Sequence, residues 1–316
     1  MIDKAMSLNP DSVRVLLVSG RFKQEHGQYE SGAQDFRRAS EIEPNNSGAW
    51  QGLAVAYGAM NLLQEAAATY RKAVAAQPGY YRTYNEFGLF YWEHGQNREA
   101  EDVFRRVTAL APEFAYGHNN LGLALMNQGR YAEAEEALLR ALRLQESARI
   151  LTNLGLLYTW QEKFAEAVPF FEKSIAVVPA TALRYSNLGD GYGYLGRTHE
   201  AAQAYRNARR MAEDDLARNP RQALSRAILG WAYAHLGEPE RAAFETAQAL
   251  RMEPGAVWVM RVAALTYETL HQRDKALEAL RTAPLPLLEE LNRYPNAKEL
   301  RQDYRFLELM AKKSVQ

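Results

Sequence analysis

Apolar and small residues return along this chain at helical spacing, and the helical segments return at a longer, fixed spacing. Trp50, Leu53, Ala54 and Tyr57 share one helix face; after Met60 and Asn61 a second face is made by Ala66, Tyr70 and Ala73 and stops at Pro78. Steps of three and four residues bring side chains to one side of an α-helix. Proline lacks the N–H that would continue the helix, so it marks the stop. The same sentence is written eight times. Small residues stand at Gly20, Ala54, Gly88, Gly122, Gly155, Gly189, Gly230 and Ala264, in steps of 34, 34, 34, 33, 34, 41 and 34. Twelve residues after each comes another small residue: Gly32, Ala66, Ala100, Ala134, Ala167, Ala201, Ala242 and Ala276. A period of this length predicts stacked helix pairs instead of one closed core.

The punctuation agrees with the period. Gly27, Gly95, Gly129, Gly196 and Gly237 are placed to end the first helix of their pairs, where a left-handed backbone is cheap for glycine. Pro10, Pro44, Pro78 and Pro112 lie one repeat apart, and Pro179 and Pro254 take the same place later. Gly or Ala in the first helix and Ala in the second let two antiparallel helices approach closely, and aromatic residues then fill the space between neighbouring pairs.

Composition changes the picture little. A chain of 316 residues would ordinarily divide into two or three domains, but a repeat array lengthens without enlarging a core. Lys and Arg together number 38, as do Asp and Glu, so the net charge is zero. This speaks against a nucleic-acid footprint. Cysteine is absent, which removes disulfide and thiolate chemistry and leaves the compartment open. No apolar run reaches membrane-spanning length, and Met1-Ile2-Asp3-Lys4-Ala5 has no signal-peptide core. Localisation is expected to be cytoplasmic, or periplasmic if the chain is part of a membrane-anchored receptor.

In the third pair the order is Tyr84, Phe87-Gly88, Tyr91, Ala100, Phe104 and Pro112. This resembles the tetratricopeptide repeat, and the resemblance covers nearly the whole chain. It implies an all-α, right-handed superhelical solenoid of about eight helix pairs. The units fall at 13–46, 47–80, 81–114, 115–147, 148–181, 182–222, 223–256 and 257–284. Lys23 and Leu125 replace the tyrosine in the first and fourth units, and Ala263-Ala264 replaces Leu-Gly in the last. Three stretches are irregular. Lys4 to Pro10 reads like Lys72 to Pro78, so residues 1–12 are expected to be the remnant of a preceding repeat helix and the chain a piece of a longer protein. Met211 to Pro220 adds about two turns to one second helix. Residues 285–316 break the pattern and predict short capping helices with Asn296 and Asp303 as N-caps. Leu287, Leu288, Leu291, Leu300, Phe306, Leu307 and Met310 are placed to cover the last repeat.

Leu300-Arg301-Gln302-Asp303-Tyr304-Arg305-Phe306 is similar to the tail Leu-Arg-x-Asp-Pro-Arg-Phe of repeat arrays in bacterial signalling proteins, with tyrosine for proline. Those arrays follow a eukaryotic-type Ser/Thr kinase domain or another effector. The resemblance implies an attached effector without saying which. A regulatory part of a kinase and a stand-alone assembly adaptor both stay open.

No catalytic set is expected and no metal site. The six histidines do not pair on a helix face, and no phosphate-binding glycine loop or kinase signature occurs. No cofactor is expected. Function is expected on the concave side, which the resemblance assigns to the first helices. Asn120, Asn153 and Asn187 each stand two residues before the small residue of their units, and an amide both donates and accepts, as an extended peptide backbone requires. Trp92, Tyr116, Trp160, Tyr194 and Trp231 add aromatic surface, and Arg82, Arg149, Arg21 and Arg261 could meet carboxylates. Packing between first helices and ordinary solvated charge account for these residues equally well. Leu17 stands where a chaperone-tail clamp requires lysine, so that recognition mode is set aside. The expected partner is a protein or extended peptide, with no nucleic acid and no membrane insertion; oligomeric state is left open.

Overall fold

A computed structural model describes residues 9–177 and 180–314. The expected remnant helix lies mostly outside these residues, and so does Pro179. Among the described residues the regular structure is entirely helical. The chain forms two compact units, one ending at Ala124 and the other beginning at Leu125.

The first unit contains three helix pairs: α1 (Val13–Glu25) with α2 (Tyr29–Ile42), α3 (Ser47–Ala59) with α4 (Leu63–Ala76), and α5 (Tyr81–Glu93) with α6 (Asn97–Leu110). It also takes most of α7 (Ala115–Asn127). The second unit holds α8 (Tyr131–Leu144) and four pairs: α9 (Ala148–Trp160) with α10 (Phe164–Val177), α11 (Ala182–Tyr194) with α12 (Thr198–Arg218), α13 (Ala223–His235) with α14 (Pro239–Met252), and α15 (Val257–Thr269) with α16 (Arg273–Ala279). It closes with α17 (Leu285–Leu291), short 3-10 turns at Pro295–Ala297 and Leu300–Gln302, and α18 (Tyr304–Ser314). Helix α12 has 21 residues where α8 has 14, which accounts for the 41-residue step.

At several of the small positions a ring lies against the backbone, and at Gly230 Thr246 does. A Cβ at Gly88 would come within 2.5 Å of Phe104, and one at Gly155 within 2.4 Å of Phe171. Phe36 sits between two helix pairs of the first unit: Cβ atoms at Gly20 and Gly52 would approach it to 2.7 and 2.3 Å. These three rings are almost fully buried, and Phe36 and Phe171 also lie against glycines of the following pair, Gly52 and Gly191. A second contact ties successive pairs. The first-helix tyrosine reaches back about twenty residues to the preceding second helix. In the first unit Arg37 and Arg71 donate to Tyr57 (2.8 Å) and Tyr91 (3.3 Å). In the second unit Tyr158, Tyr192 and Tyr233 donate to Glu135 (2.6 Å), Glu172 (2.7 Å) and Glu213 (3.2 Å).

The turns follow the sequence. Gly27, Gly95, Gly129, Gly196 and Gly237 all have φ between 71° and 77°. After α1, Gln28 N–H donates to Lys23 and Gly27 N–H to Gln24, which satisfies carbonyls that the helix leaves open. Asn61, Glu162 and His271 take the same left-handed position without being glycine. Of the two expected caps, Asp303 accepts from the backbone N–H of Arg305 at 2.9 Å at the start of α18. Asn296 instead lies inside a 3-10 turn, where it caps nothing. Leu287, Leu288, Leu291, Leu300 and Phe306 are buried with Val259, Met260, Leu265 and Trp231, and Met310 packs on the edge of that cluster. Leu307 is 49% exposed, because it lies on the outer side of α18.

Candidate functional site

In the first unit the first-helix face carries Arg82, Asn85, Glu86, Trp92 and Glu93 on α5 and Tyr116, Asn119 and Asn120 on α7. Arg82 is exposed, with its guanidinium 5.7 Å from the Tyr81 ring. Tyr116 is half-buried, edge-on to Phe114. Asn120 is buried and joined to neighbours: its Nδ2 donates to Asn85 Oδ1 at 2.9 Å, and its Oδ1 accepts from Asn119 Nδ2 at 3.1 Å. Sequence reasoning missed Asn85 and Asn119. The signal was available, since Asn119 stands one repeat after Asn85. Trp92 is half-buried, and its indole N–H is buried without a hydrogen-bond partner. Burial, and then the charge of Glu93, raises Glu86 above the ordinary carboxylate range, while the Asn85 amide opposes this. Glu93 is raised by burial, and His94 offsets it. The two carboxylates lie two turns apart on one face.

In the second unit the corresponding face meets the chain's own C-terminal segment. Arg293 lies over the Trp160 ring, 5.5 Å from its centre, and donates to the carbonyl of Asn127. Tyr194 stacks on Phe164 at 4.3 Å. Trp231 is 3% exposed and belongs to the core that Leu288, Leu291 and Tyr294 complete. Arg261 pairs with Glu290 at 3.2 Å and lies over Trp258. Asn187 is buried, Asn153 half-buried and Arg149 exposed. Thus Trp160, Tyr194 and Trp231 pack against their own chain, and only Trp231 is fully buried by it.

One group there was not foreseen. Tyr205 takes the place of the phenylalanine rings over Gly189, and its hydroxyl donates to Asp190 Oδ1 at 2.6 Å. His235 stacks on Tyr205 at 4.3 Å, with its Nε2 4.0 Å from the same oxygen. Burial pushes Asp190 up to about 7, against the opposing pull of Tyr205 and Trp231. Burial pushes His235 down to about 4. Burial and the charge of Asp190 also raise the Tyr194, Tyr205 and Tyr294 hydroxyls well above the usual phenol range. The sequence held a signal: aspartate follows Gly189 where leucine follows Gly88, Gly122 and Gly155.

Two of the other histidines behave as helix-end residues. His26 and His94 place Nδ1 within 2.7 Å of the carbonyls of Phe22 and Phe90, four residues earlier. Among the described residues no three His, Cys, Asp or Glu side chains stand where they could hold a metal ion. No described helix is long and apolar enough to cross a membrane.

Family models described as tetratricopeptide repeat match residues 23–84, 86–148, 146–214 and 186–257. No curated protein matches the sequence. The fold is similar to a tetratricopeptide repeat protein from Parabacteroides merdae, with TM-score 0.61 and 19% identity over 80% of this chain and 98% of that one. It is also similar to the Cut9–Hcn1 hetero-tetramer structure of the APC/C, with TM-score 0.54 and 18% identity over 84% of this chain and 51% of that one. For PilW, a type IV pilus biogenesis factor, the TM-score is 0.55 and the identity 19%, over 62% and 91%.

Proposed function

This chain belongs to the tetratricopeptide repeat family, and from that membership we propose that it is a non-catalytic scaffold binding a protein or extended peptide along its first-helix faces. Proteins of this repeat are generally interaction modules. One observation carries the reading: in the second unit this face already holds a length of irregular polypeptide. Arg293 there finds a backbone carbonyl and a tryptophan ring, the kinds of contact an extended ligand makes. In the first unit Trp92, Glu86 and Glu93 offer a half-buried aromatic and two carboxylates raised by burial, which favours a segment carrying positive charge.

The signalling context is the finer part of the proposal. The array is read as the interaction or sensing region of a larger bacterial signalling protein, and the tail from Leu300 to Phe306 supports this. That tail also has a mechanical role: Leu300 and Phe306 are buried, and Asp303 binds Arg305 through 3.0 and 2.8 Å contacts. The test is direct. A peptide selected from a random library against the whole chain is titrated by fluorescence anisotropy against Asn120→Ala, Asn153→Ala, Asn187→Ala and the triple variant. Each single change is expected to weaken binding by about 1 kcal/mol. Affinity unchanged in the triple variant removes the amide ladder from the binding surface, and failure to select any peptide removes the scaffold reading.

A further inference from the structure

A pocket of ≈ 370 Å³ opens in the second unit between α11, α12, α13 and the C-terminal cap, lined by Asp190, Tyr194, Thr198, Tyr205, His235 and Asn296 among others. We propose that it binds a primary alkylammonium group, from a lysine side chain of a partner or from a free amine. The inference is independent of partner binding along the first-helix faces.

The polar atoms select the ligand. Asp190 is 8% exposed, and its partner across the pocket, His235 Nε2, is 4.0 Å away. Tyr205 gives the carboxylate a hydrogen bond but no charge. A buried carboxylate without a cation is costly, and a cation delivered to it gains strongly. Two more polar atoms are buried without a hydrogen bond of normal geometry: His235 Nε2, and the Tyr194 hydroxyl, on which only the backbone N–H of Asn296 acts. Carboxylate, imidazole nitrogen and phenol oxygen are three acceptors, and an alkylammonium has three N–H donors. An anion would meet Asp190, and a neutral ligand would leave its charge uncompensated.

The groups around Asp190 set the pH at which binding occurs. Tyr194 faces it from its own helix, Tyr205 from α12, Trp231 and His235 from α13, and Tyr294 from the cap. Glu162 acts on Tyr194, while Arg261, paired with Glu290, stands behind Tyr294. His235, held down to about 4 by burial, is a neutral acceptor at pH 7 and no rival cation. The tyrosines stay protonated. Asp190, near 7, is the group that titrates.

The experiment is calorimetric titration of the whole chain with n-butylammonium and with Nα-acetyl-lysine methylamide, at pH 6 and pH 8. The Nα-acetyl-norleucine analogue and n-butanol serve as uncharged controls. Saturable binding of an amine is expected, about tenfold tighter at pH 8, as the ionised fraction of Asp190 rises. Asp190→Asn keeps an oxygen for Tyr205 and is expected to weaken binding at least about tenfold with little change in fold. Tyr194→Phe, which removes one acceptor, provides the same test should the first variant unfold. Binding of n-butylammonium alone supports the site and assigns it to free amines; binding of the lysine derivative assigns it to a partner's side chain. No binding of either amine, equal binding of the uncharged controls, or full affinity in the folded Asp190→Asn variant overturns the proposal.

Discussion

In the first unit Glu86 and Glu93 stand on the first-helix face half in water, whereas in the second unit Asp190 stands on the equivalent face beneath the chain's own Tyr294 and Asn296. All three carboxylates stand on first helices but at different repeat positions: Glu86 and Glu93 correspond to Asn187 and Tyr194, and Asp190 to Leu89. Their cover differs too. Solvent relieves the first two, and neighbouring side chains must satisfy the third. A second contrast accompanies it. Phe104 lies over Gly88 with Leu89 next in line, a wholly apolar contact, whereas Tyr205 lies over Gly189 with Asp190 next in line. The second unit thus exchanges part of an apolar joint for a buried polar network. Such a network is stable only while every member keeps its partner.

The largest expected effect is the pH dependence of folding. Asp190 has a folded pKa near 7 against an unfolded 3.8, so the folded chain binds the extra proton between these values. Its contribution is present below about 4 and is lost as pH rises towards 7. His235 has a folded pKa near 4 against 6.5, so its contribution grows over pH 4 to 6.5. The two slopes oppose each other, each at most about 1.4 kcal/mol per pH unit. Urea unfolding across pH 4–8 is therefore expected to be nearly flat in this respect for the parent chain. Asp190→Asn should make stability rise with pH over 4–6.5, and His235→Phe, which keeps a ring against Tyr205, should make it fall. Glu86→Gln in the first unit should change the profile far less. Parallel profiles in all four chains would mean that the second unit's network does not titrate.

The next effect isolates the ring position. Tyr205→Phe takes from Asp190 its 2.6 Å donor, and Phe104→Tyr brings a hydroxyl over Leu89. Each should cost about 1–3 kcal/mol, because each leaves a buried polar group unsatisfied. Adding Asp190→Leu to Tyr205→Phe rebuilds in the second unit the apolar joint of the first, and should recover much of the loss. Thermal unfolding of the two singles and the double decides it: simple additivity would show that hydroxyl and carboxylate do not depend on each other.

Much of the fold was legible because its period is local. Gly27 and Gly95 could be assigned to left-handed turns from their place after a helical stretch, and both have φ of 73°. Glu162 and His271 adopt the same backbone with no signal of their own, the turns being closed by the same backbone bonds, Lys163 N–H to Tyr158 and Gln272 N–H to Tyr267. The site was less legible. Asn120 could be placed on the first-helix face, but the bond from its amide to Asn85, thirty-five residues earlier, is visible only once helices are stacked. Asn296 had the local look of a cap, yet the segment around it folds onto α11 and α13, a docking that no helical periodicity encodes.

The smallest effect concerns Tyr304, the residue at which the C-terminal stretch departs from the family tail. It is the first residue of α18 and is 74% exposed. The N–H of a first helical residue has no intrahelical partner, and the fixed φ of proline suits that position. Asp303 before it has φ −75° and ψ 124°, the extended conformation that a residue preceding proline adopts. Its carboxylate caps through the N–H of Arg305, which the change leaves in place. Tyr304→Pro should therefore stabilise the cap by about 0.4–1 kcal/mol, by restricting the unfolded chain. Since the cap covers the core of the second unit, the gain should appear as a rise of at most about 3 °C in that unit's melting. Hydrogen exchange resolves the units: protection should increase in α17 and α18 and stay unchanged in α1 to α6. A loss of stability would mean that the tyrosine ring, despite its exposure, holds the cap in place.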